Sequence, residues 1–210
     1  MWGAENGYLE GKSDNEVAIV IADVTGKAMK GAMNAVMTNG ILRAKAEEME
    51  IFSPGLLMTR MNGILKARTE RLMNVTMVIG KINPRAKTLT LANAGNHVLP
   101  MIFRKGNIQH LQVTGFFPRG VVKDTQYREE KFPLQNGDVL ILMTDGIIEA
   151  QDSAENYYSA SGRLEKTISQ FTLYQSAESM VEAILNDAIA FSSDKAQRDD
   201  DMTVVVAKVQ

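Results

Sequence analysis

Val17-Ala18-Ile19-Val20-Ile21-Ala22-Asp23-Val24-Thr25-Gly26-Lys27-Ala28 is the stretch on which the reading of this chain turns. Residues 17–22 form an unbroken apolar run of strand length with β-branched side chains, which predicts a buried strand. Asp23-Val24-Thr25-Gly26 then breaks the run with turn-forming residues. A helix over 27–48 follows, in which Met29, Met33, Val36, Met37, Ile41 and Ala44 recur three and four residues apart while Lys30, Asn34 and Arg43 take other faces. An acidic side chain is thereby set at the edge of a buried strand.

Upstream, residues 3–15 are turn-rich, with Gly3, Gly7, Gly11, Asp14 and Asn15. Downstream, Ser53-Pro54 predicts an N-cap with proline at the first helical position, opening a helix with Leu57, Met61, Ile64 and Leu65 on one face. The period then changes. Segments 75–82, 88–92, 99–104, 108–113 and 126–132 read as short strands, with turns at Asn83-Pro84, Gly95-Asn96 and Lys105-Gly106. Asn136-Gly137-Asp138 is a turn signal before a strand over 139–143. After Thr144-Asp145-Gly146 the chain turns helical, a helix over 176–191 carries Met180, Val181, Ile184, Leu185 and Ile189 on one face, and 202–209 is a closing strand. Tyr157, Tyr158 and Phe171 read as satellite core. Runs of strands alternating with runs of helices predict α+β layers rather than a doubly wound sheet.

With 210 residues, 45% hydrophobic and 23% charged, the chain suits one folded domain. Its net charge of −2, with both signs mixed, carries no nucleic-acid footprint and no polybasic membrane anchor. Cysteine is absent, so disulfides, thiolate metal sites and cysteine nucleophiles are excluded. This accords with a reducing compartment, and a cytoplasmic location is expected. There is no run of about 18 apolar residues and no signal peptide, so no membrane contact is expected of this domain. The 13 methionines read as core filling.

Three acidic clusters abut apolar strands: Asp23 after Ala22, Asp145 after the run 139–144, and Asp199-Asp200-Asp201 before Met202-Thr203-Val204-Val205-Val206. Strand ends can bring distant residues to one rim, and carboxylates gathered there repel unless a cation neutralises them. An all-oxygen donor set selects magnesium or manganese over zinc, in keeping with two histidines and no cysteine. Each Asp alone is also what a turn or helix cap uses: Asp23 before Lys27, Asp145 before Gly146, and 199–201 as a solvated loop. The three together, each against an apolar strand, point beyond capping.

Asp23-Val24-Thr25-Gly26-Lys27-Ala28 resembles the "DVSGKG" signature of SpoIIE/RsbU-type bacterial serine/threonine protein phosphatases, of the type 2C (PPM) class. Asn93-Ala94-Gly95-Asn96-His97 is similar to their "NAGH" turn, Thr144-Asp145-Gly146-Ile147-Ile148-Glu149-Ala150 resembles "TDGVTEA", and Asp200-Asp201-Met202-Thr203 resembles "DDIT". Asn74-Val75-Thr76 fits the family's "F-x-T" strand less closely. The motifs stand in family order from Asp23 to the C-terminus. The acid of the family's leading "GGD" motif falls, at its usual spacing of eighteen residues before Asp23, on Glu5 of Gly3-Ala4-Glu5. Two departures stand out: Ala28 replaces the last glycine of the signature, and His97 is displaced by one place, so it is read as a turn or core-edge histidine without a catalytic role.

The resemblance implies a four-layer α-β-β-α sandwich with two mainly antiparallel sheets flanked by helices. It implies a single domain over 1–210, either the C-terminal catalytic part of a longer protein controlled by an upstream sensor or receiver domain, which is the favoured expectation, or a short natural domain controlled in trans, with homodimerisation possible. It implies hydrolysis of phosphoserine or phosphothreonine on a regulatory protein, a STAS-type anti-sigma-factor antagonist or another, by water activated between two divalent cations, Mn2+ or Mg2+. Asp23 would bridge both ions with the Val24 carbonyl assisting. Asp145 and Asp200 would bind the first ion, Glu5 the second, directly or through water, with Asp201 and Asp199 flanking the site. Gly146 would let the chain turn tightly behind Asp145. Arg198 is either a substrate contact or the partner of a neighbouring acid. The competing expectations are a pseudophosphatase acting as a signalling binding module, an unrelated magnesium-dependent hydrolase or cyclase, and an interaction domain using 27–48 and 151–173. The hydrolase or cyclase lacks a phosphate loop or dinucleotide fingerprint.

Overall fold

The apolar run is strand β3, Val17–Val24, and it pairs antiparallel over its full length with β4, Val75–Asn83. The computed structural model describes residues 3–5, 8–10, 16–24, 28–68, 75–115, 125–192 and 200–210, the side chains of 3–5, 8–10, 28 and 66–68 excepted. Asn74, Arg198 and Asp199 lie outside the described residues. The chain divides into two units, Met1–Asn96 with Val113–Leu134, and His97–Gln112 with Gln135–Gln210.

In the first unit β4 pairs with β5, Thr88–Ala94, and β5 with β8, Glu130–Pro133. On the other side β3 pairs with β2, Tyr8–Glu10, and β2 with β1, Gly3–Glu5, giving an antiparallel sheet in the order β1-β2-β3-β4-β5-β8. The turn-rich reading of 3–15 therefore missed a hairpin. Strands of three residues have little pattern of their own and take their ladder from β3.

Helix α1, Ala28–Glu47, matches the expected span, but its buried stripe does not. Met29, Met33 and Val36 are 75%, 66% and 75% exposed, and Ala44 is exposed too. The core is met by Thr38, Leu42, Ala46 and the following Met49, with Met37 and Ile41 half-buried. Both stripes have helical spacing. Traced back from Thr38, the core face runs into Asn34 and Gly31, both only half-buried, so only the second half of α1 carries apolar side chains that fill the core. Periodicity detects an apolar stripe without saying which half of a helix meets the sheet.

Helix α2, Pro54–Arg68, buries Leu57, Met58, Met61 and Leu65 almost completely against Val75, Met77, Ile79, Ala92 and Ala94. Each such side chain contributes about 1.5–3 kcal/mol of transfer free energy. The N-cap reading of Ser53 holds: its Oγ accepts the Leu56 N–H at 3.1 Å. The Ser53 hydroxyl also donates to Glu129 Oε1 (2.5 Å), which accepts the Gly55 N–H at 2.9 Å. This carboxylate at a helix N-terminus explains why the expected strand over 126–132 shrinks to β8. Residues 125–129 run across the start of α2 instead of pairing, with the Tyr127 N–H on Thr59 Oγ1 (3.1 Å). A Cβ on Gly55 would lie inside 3.0 Å of the Tyr127 carbonyl, so the crossing needs glycine there.

The second unit is built on β9, Val139–Met143, all five residues of which are buried. It pairs with β10, Val204–Lys208, and with β6, Met101–Arg104; β7, Asn107–His110, completes the order β10-β9-β6-β7, again antiparallel. The expected strands 99–104 and 108–113 contract to β6 and β7 around Lys105-Gly106, both at positive φ. The ladder ends at Pro100 opposite Leu111, where the Leu111 N–H still donates to the Pro100 carbonyl but proline has no N–H to return. Helices α3, Asp145–Ile148, α4, Arg163–Ser169, and α5, Ala177–Phe191, follow. Ser176 caps α5, and Met180, Ile184 and Ala188 pack with Ile141, Met143, Leu164 and Ile168. Tyr158 and Phe171 join this core as expected, whereas Tyr157 is 48% exposed. Among the described residues no helix is long and apolar enough to cross a membrane.

Two ion pairs brace this unit. Asp187 receives Arg163 through both guanidinium contacts and the Tyr158 hydroxyl at 2.7 Å. The Arg163 hydrogen bonds hold its carboxyl below the usual range, while burial and Asp187 push the Tyr158 hydroxyl up. Asp138, 1% exposed at the side chain, is gripped by Arg104 Nε (2.7 Å) and Nη2 (2.6 Å) and accepts the Gln135 N–H. Burial alone would raise the Asp138 carboxyl, but the Arg104 hydrogen bonds, the Gln135 N–H and the nearby cations outweigh it and lower it. A lowered folded-state value means stability that is present above the ordinary aspartate range, near 3.9, and lost as pH falls through the folded value. Asp138→Asn is therefore expected to cost about 3 kcal/mol near neutral pH, since it removes the charge partner of the half-buried Arg104 guanidinium at a site where Asp138 itself is buried. That gap to wild type should narrow in chemical denaturation below about pH 4. A gap that does not change with pH would overturn the assignment.

Candidate active site

In the first unit Asp23 is the penultimate residue of β3, half-buried, with Thr76 of β4 directly across the ladder and Val24 opposite Val75. Ala18, Val20 and Val24 pack with the α1–α2 core, so strand alternation puts Ile19, Ile21 and Asp23 on the sheet face away from those helices. Asp23 thus ends a row of buried apolar side chains. Glu5 opposes Tyr8, and Tyr8 opposes Ile19. This register sets Glu5 two strands away and four residues short of Asp23, on the order of 15 Å at ordinary strand geometry.

The "NAGH"-like turn has a physical basis. Asn93 is 1% exposed; its Oδ1 accepts the Asn96 N–H at 2.9 Å and its Nδ2 donates to the Asn96 carbonyl at 2.8 Å, closing a turn in which Gly95 has φ +75°. Only glycine adopts that φ without strain. His97 is not at a core edge: it is mostly exposed and faces Glu149, Nε2 to Oε1 3.2 Å.

In the second unit the antiparallel pairing of β9 and β10 carries the end of one to the start of the other, Met143 opposite Val204. Asp145, the residue after Thr144 and the first of α3, therefore stands beside Asp200 and Asp201, which lead into β10. A Cβ built on Gly146 would fall 3.4 Å from Asp200 Cβ and inside 3.0 Å of the Asp201 carbonyl. Gly146 is thus required for space. It sits within α3 and is not among the glycines at positive φ, so the tight-turn role expected of it is corrected to a close backbone approach. Asp145 is not the N-cap of α3; Thr144 holds that place.

Sequence reasoning passed over Thr144. Its N–H donates to the Thr203 carbonyl (3.0 Å); its hydroxyl accepts the Thr203 N–H (3.0 Å) and donates to the Asp201 carbonyl (3.2 Å). The tell-tale sign was a threonine one place ahead of a helix-opening Asp. The Asp145 and Asp200 carboxylates each accept a neighbouring backbone N–H, from Gly146 at 3.1 Å and from Asp201 at 2.8 Å. Asp145 is half-buried, and Asp200 and Asp201 are exposed.

Among the described residues no lysine or arginine pairs with Asp145, Asp200 or Asp201, and no three metal-ligating side chains converge on one point. Adjacent carboxylates with spare lone pairs and no protein cation are the donor chemistry of a hard divalent ion. Asp145 and Asp200 fit that role.

The pattern of the family Stage II sporulation protein E (SpoIIE) matches residues 13–210. Phosphoserine phosphatase RsbU of Bacillus subtilis (strain 168) is 25% identical over 198 residues, 94% of this chain and 57% of that protein, so the chain spans little more than half of that relative's length. Among solved structures, the SiaA-PP2C domain of Pseudomonas aeruginosa matches with a TM-score of 0.80 at 17% identity, over 100% of this chain and 85% of that one. The PP2C phosphatase domain of SpoIIE from Bacillus subtilis, with a fragment of its regulatory domain, matches at 0.75 and 22% identity, over 92% of this chain and 55% of that one.

Proposed function

This chain belongs to the SpoIIE family and has the fold of the PP2C phosphatase domains, and from that premise we propose that it is a metal-dependent protein serine/threonine phosphatase. The observation that carries the proposal is the meeting of Asp145 and Asp200 at one sheet rim, enforced by the β9–β10 pairing and the clearance at Gly146.

Asp23, Asp145 and Asp200 are the proposed ligands of two divalent cations, Mn2+ or Mg2+, with the Val24 carbonyl assisting Asp23 and Asp201 beside them. Glu5 is the proposed support of the second ion, directly or through a water. When bound, such a pair lowers the pKa of a water and neutralises the phosphoryl oxygens for in-line displacement. The chain's own part is to gather carboxylates on strand ends, where the ladder fixes their backbone, and to leave Asp145 and Asp200 without a competing lysine or arginine among the described residues. No nucleophilic side chain is called for, in keeping with the absence of cysteine. The substrate class proposed is a phosphorylated regulatory protein of the STAS type.

Hydrolysis of p-nitrophenyl phosphate by the purified chain tests this. Turnover should appear with Mn2+ or Mg2+, fall to background with chelator and return on adding metal back. No turnover with either ion, together with no Mn2+ binding by calorimetry, would leave a phosphatase fold serving as a binding module.

A further inference from the structure

Thr144 is 8% exposed and stands between β9 and Asp145. A threonine at an N-cap ordinarily gives its hydroxyl oxygen to an N–H of the first helical turn. Here the side chain makes no cap bond. It reaches across to the segment leading into β10, accepting the Thr203 N–H and donating to the Asp201 carbonyl.

We infer that Thr144 is a positioning residue that fixes Asp200 against Asp145 and so sets the spacing of two carboxylates for a divalent cation. The inference rests on the metal-dependent reading above. The backbone bond from the Thr144 N–H to the Thr203 carbonyl already registers the strands, so the hydroxyl acts in addition, on the segment before β10. The Asp201 residue is held at both ends: its N–H by the Asp200 carboxylate at 2.8 Å, its carbonyl by Thr144 at 3.2 Å. The same carbonyl rests on Gly146, where no side chain stands in the way. Two carboxylates brought together repel without a cation. A neutral hydroxyl opposes that drift without occupying the carboxylate oxygens, as a lysine or arginine would.

Thr144→Val keeps shape and removes both side-chain hydrogen bonds; Thr144→Ala removes them with less bulk; Thr144→Ser keeps the hydroxyl. Each is titrated with Mn2+ by calorimetry, and amide exchange at Thr203 is followed in the metal-free protein. Loss of the hydroxyl should weaken Mn2+ binding about 10–100-fold, the usual cost of removing a residue that orients a metal ligand. It should also speed exchange of the Thr203 N–H, and Ser should restore both. Should Val not fold, Ala carries the comparison. Wild-type Mn2+ affinity in the variants without the hydroxyl would overturn this inference alone. A wild-type chain that binds no Mn2+ would overturn the metal-dependent reading and this inference with it.

Discussion

Asp145→Asn should lower metal-supported phosphomonoester hydrolysis on the order of 10³-fold while leaving the fold in place. The magnitude is that of removing one group matched to transition-state charge inside a preorganised site. The fold should survive because the only hydrogen bond held by this carboxylate among the described residues is the Gly146 N–H, which the Asn side-chain carbonyl can accept equally well. What Asn cannot supply is the charge. Asp23→Asn should behave alike, since the backbone of Asp23 is held opposite Thr76 by the β3–β4 ladder, which the substitution leaves untouched. Thermal melting and steady-state turnover on the same preparations decide the matter. An Asp145→Asn protein that turns over within about tenfold of wild type would sink its role as a ligand, since losses that small belong to residues outside the first coordination sphere.

Much of this arrangement was legible in the sequence, for reasons that can be stated. β3, β9 and α5 are long apolar patterns, and Asp23 and Asp145 stand at the C-terminal ends of the first two apolar runs, so their places could be read off. The cap at Ser53 depends on neighbours three residues away and was equally visible. The parts that escaped are long-range pairings of polar groups. Glu129 reaches the start of α2 from 74 residues away, Arg104 meets Asp138 across 34, and Thr144 meets the Asp201 carbonyl across 57. No local pattern announces such pairs, because each partner alone looks like an ordinary turn or surface residue. The methionine reading failed in an instructive way. Met49, Met58, Met61, Met77, Met101, Met143 and Met180 do fill cores, but Met29 and Met33 face outward, because helical spacing is shared by any stripe and the sheet selects only one.

Gly146→Ala should separate the two meanings a helical glycine can have. By propensity alone, alanine in a helix is better than glycine by about 1 kcal/mol. At Gly40 of α1, exposed and with nothing within 4 Å of a built Cβ, that gain should be realised, and Gly40→Ala should raise the melting temperature slightly. At Gly146 the sign should reverse. The atom in the way is the Asp201 carbonyl, a backbone group held by the Thr144 hydroxyl, and it cannot swing aside as a flexible side chain would. Forcing extra volume into such a contact typically costs about 1–3 kcal/mol. The relief it finds is to push the 200–201 segment away from α3. Asp200 would then move off Asp145, and metal-supported turnover should fall about 100-fold even in the fraction that remains folded, since misplacement by about 1 Å is enough for a loss of that size. Melting curves with and without Mn2+ read both effects at once: a lower melting temperature, and a smaller stabilisation by the ion. If Gly146→Ala were as stable as Gly40→Ala and as active as wild type, the close approach of Asp200 to Asp145 would not exist in solution.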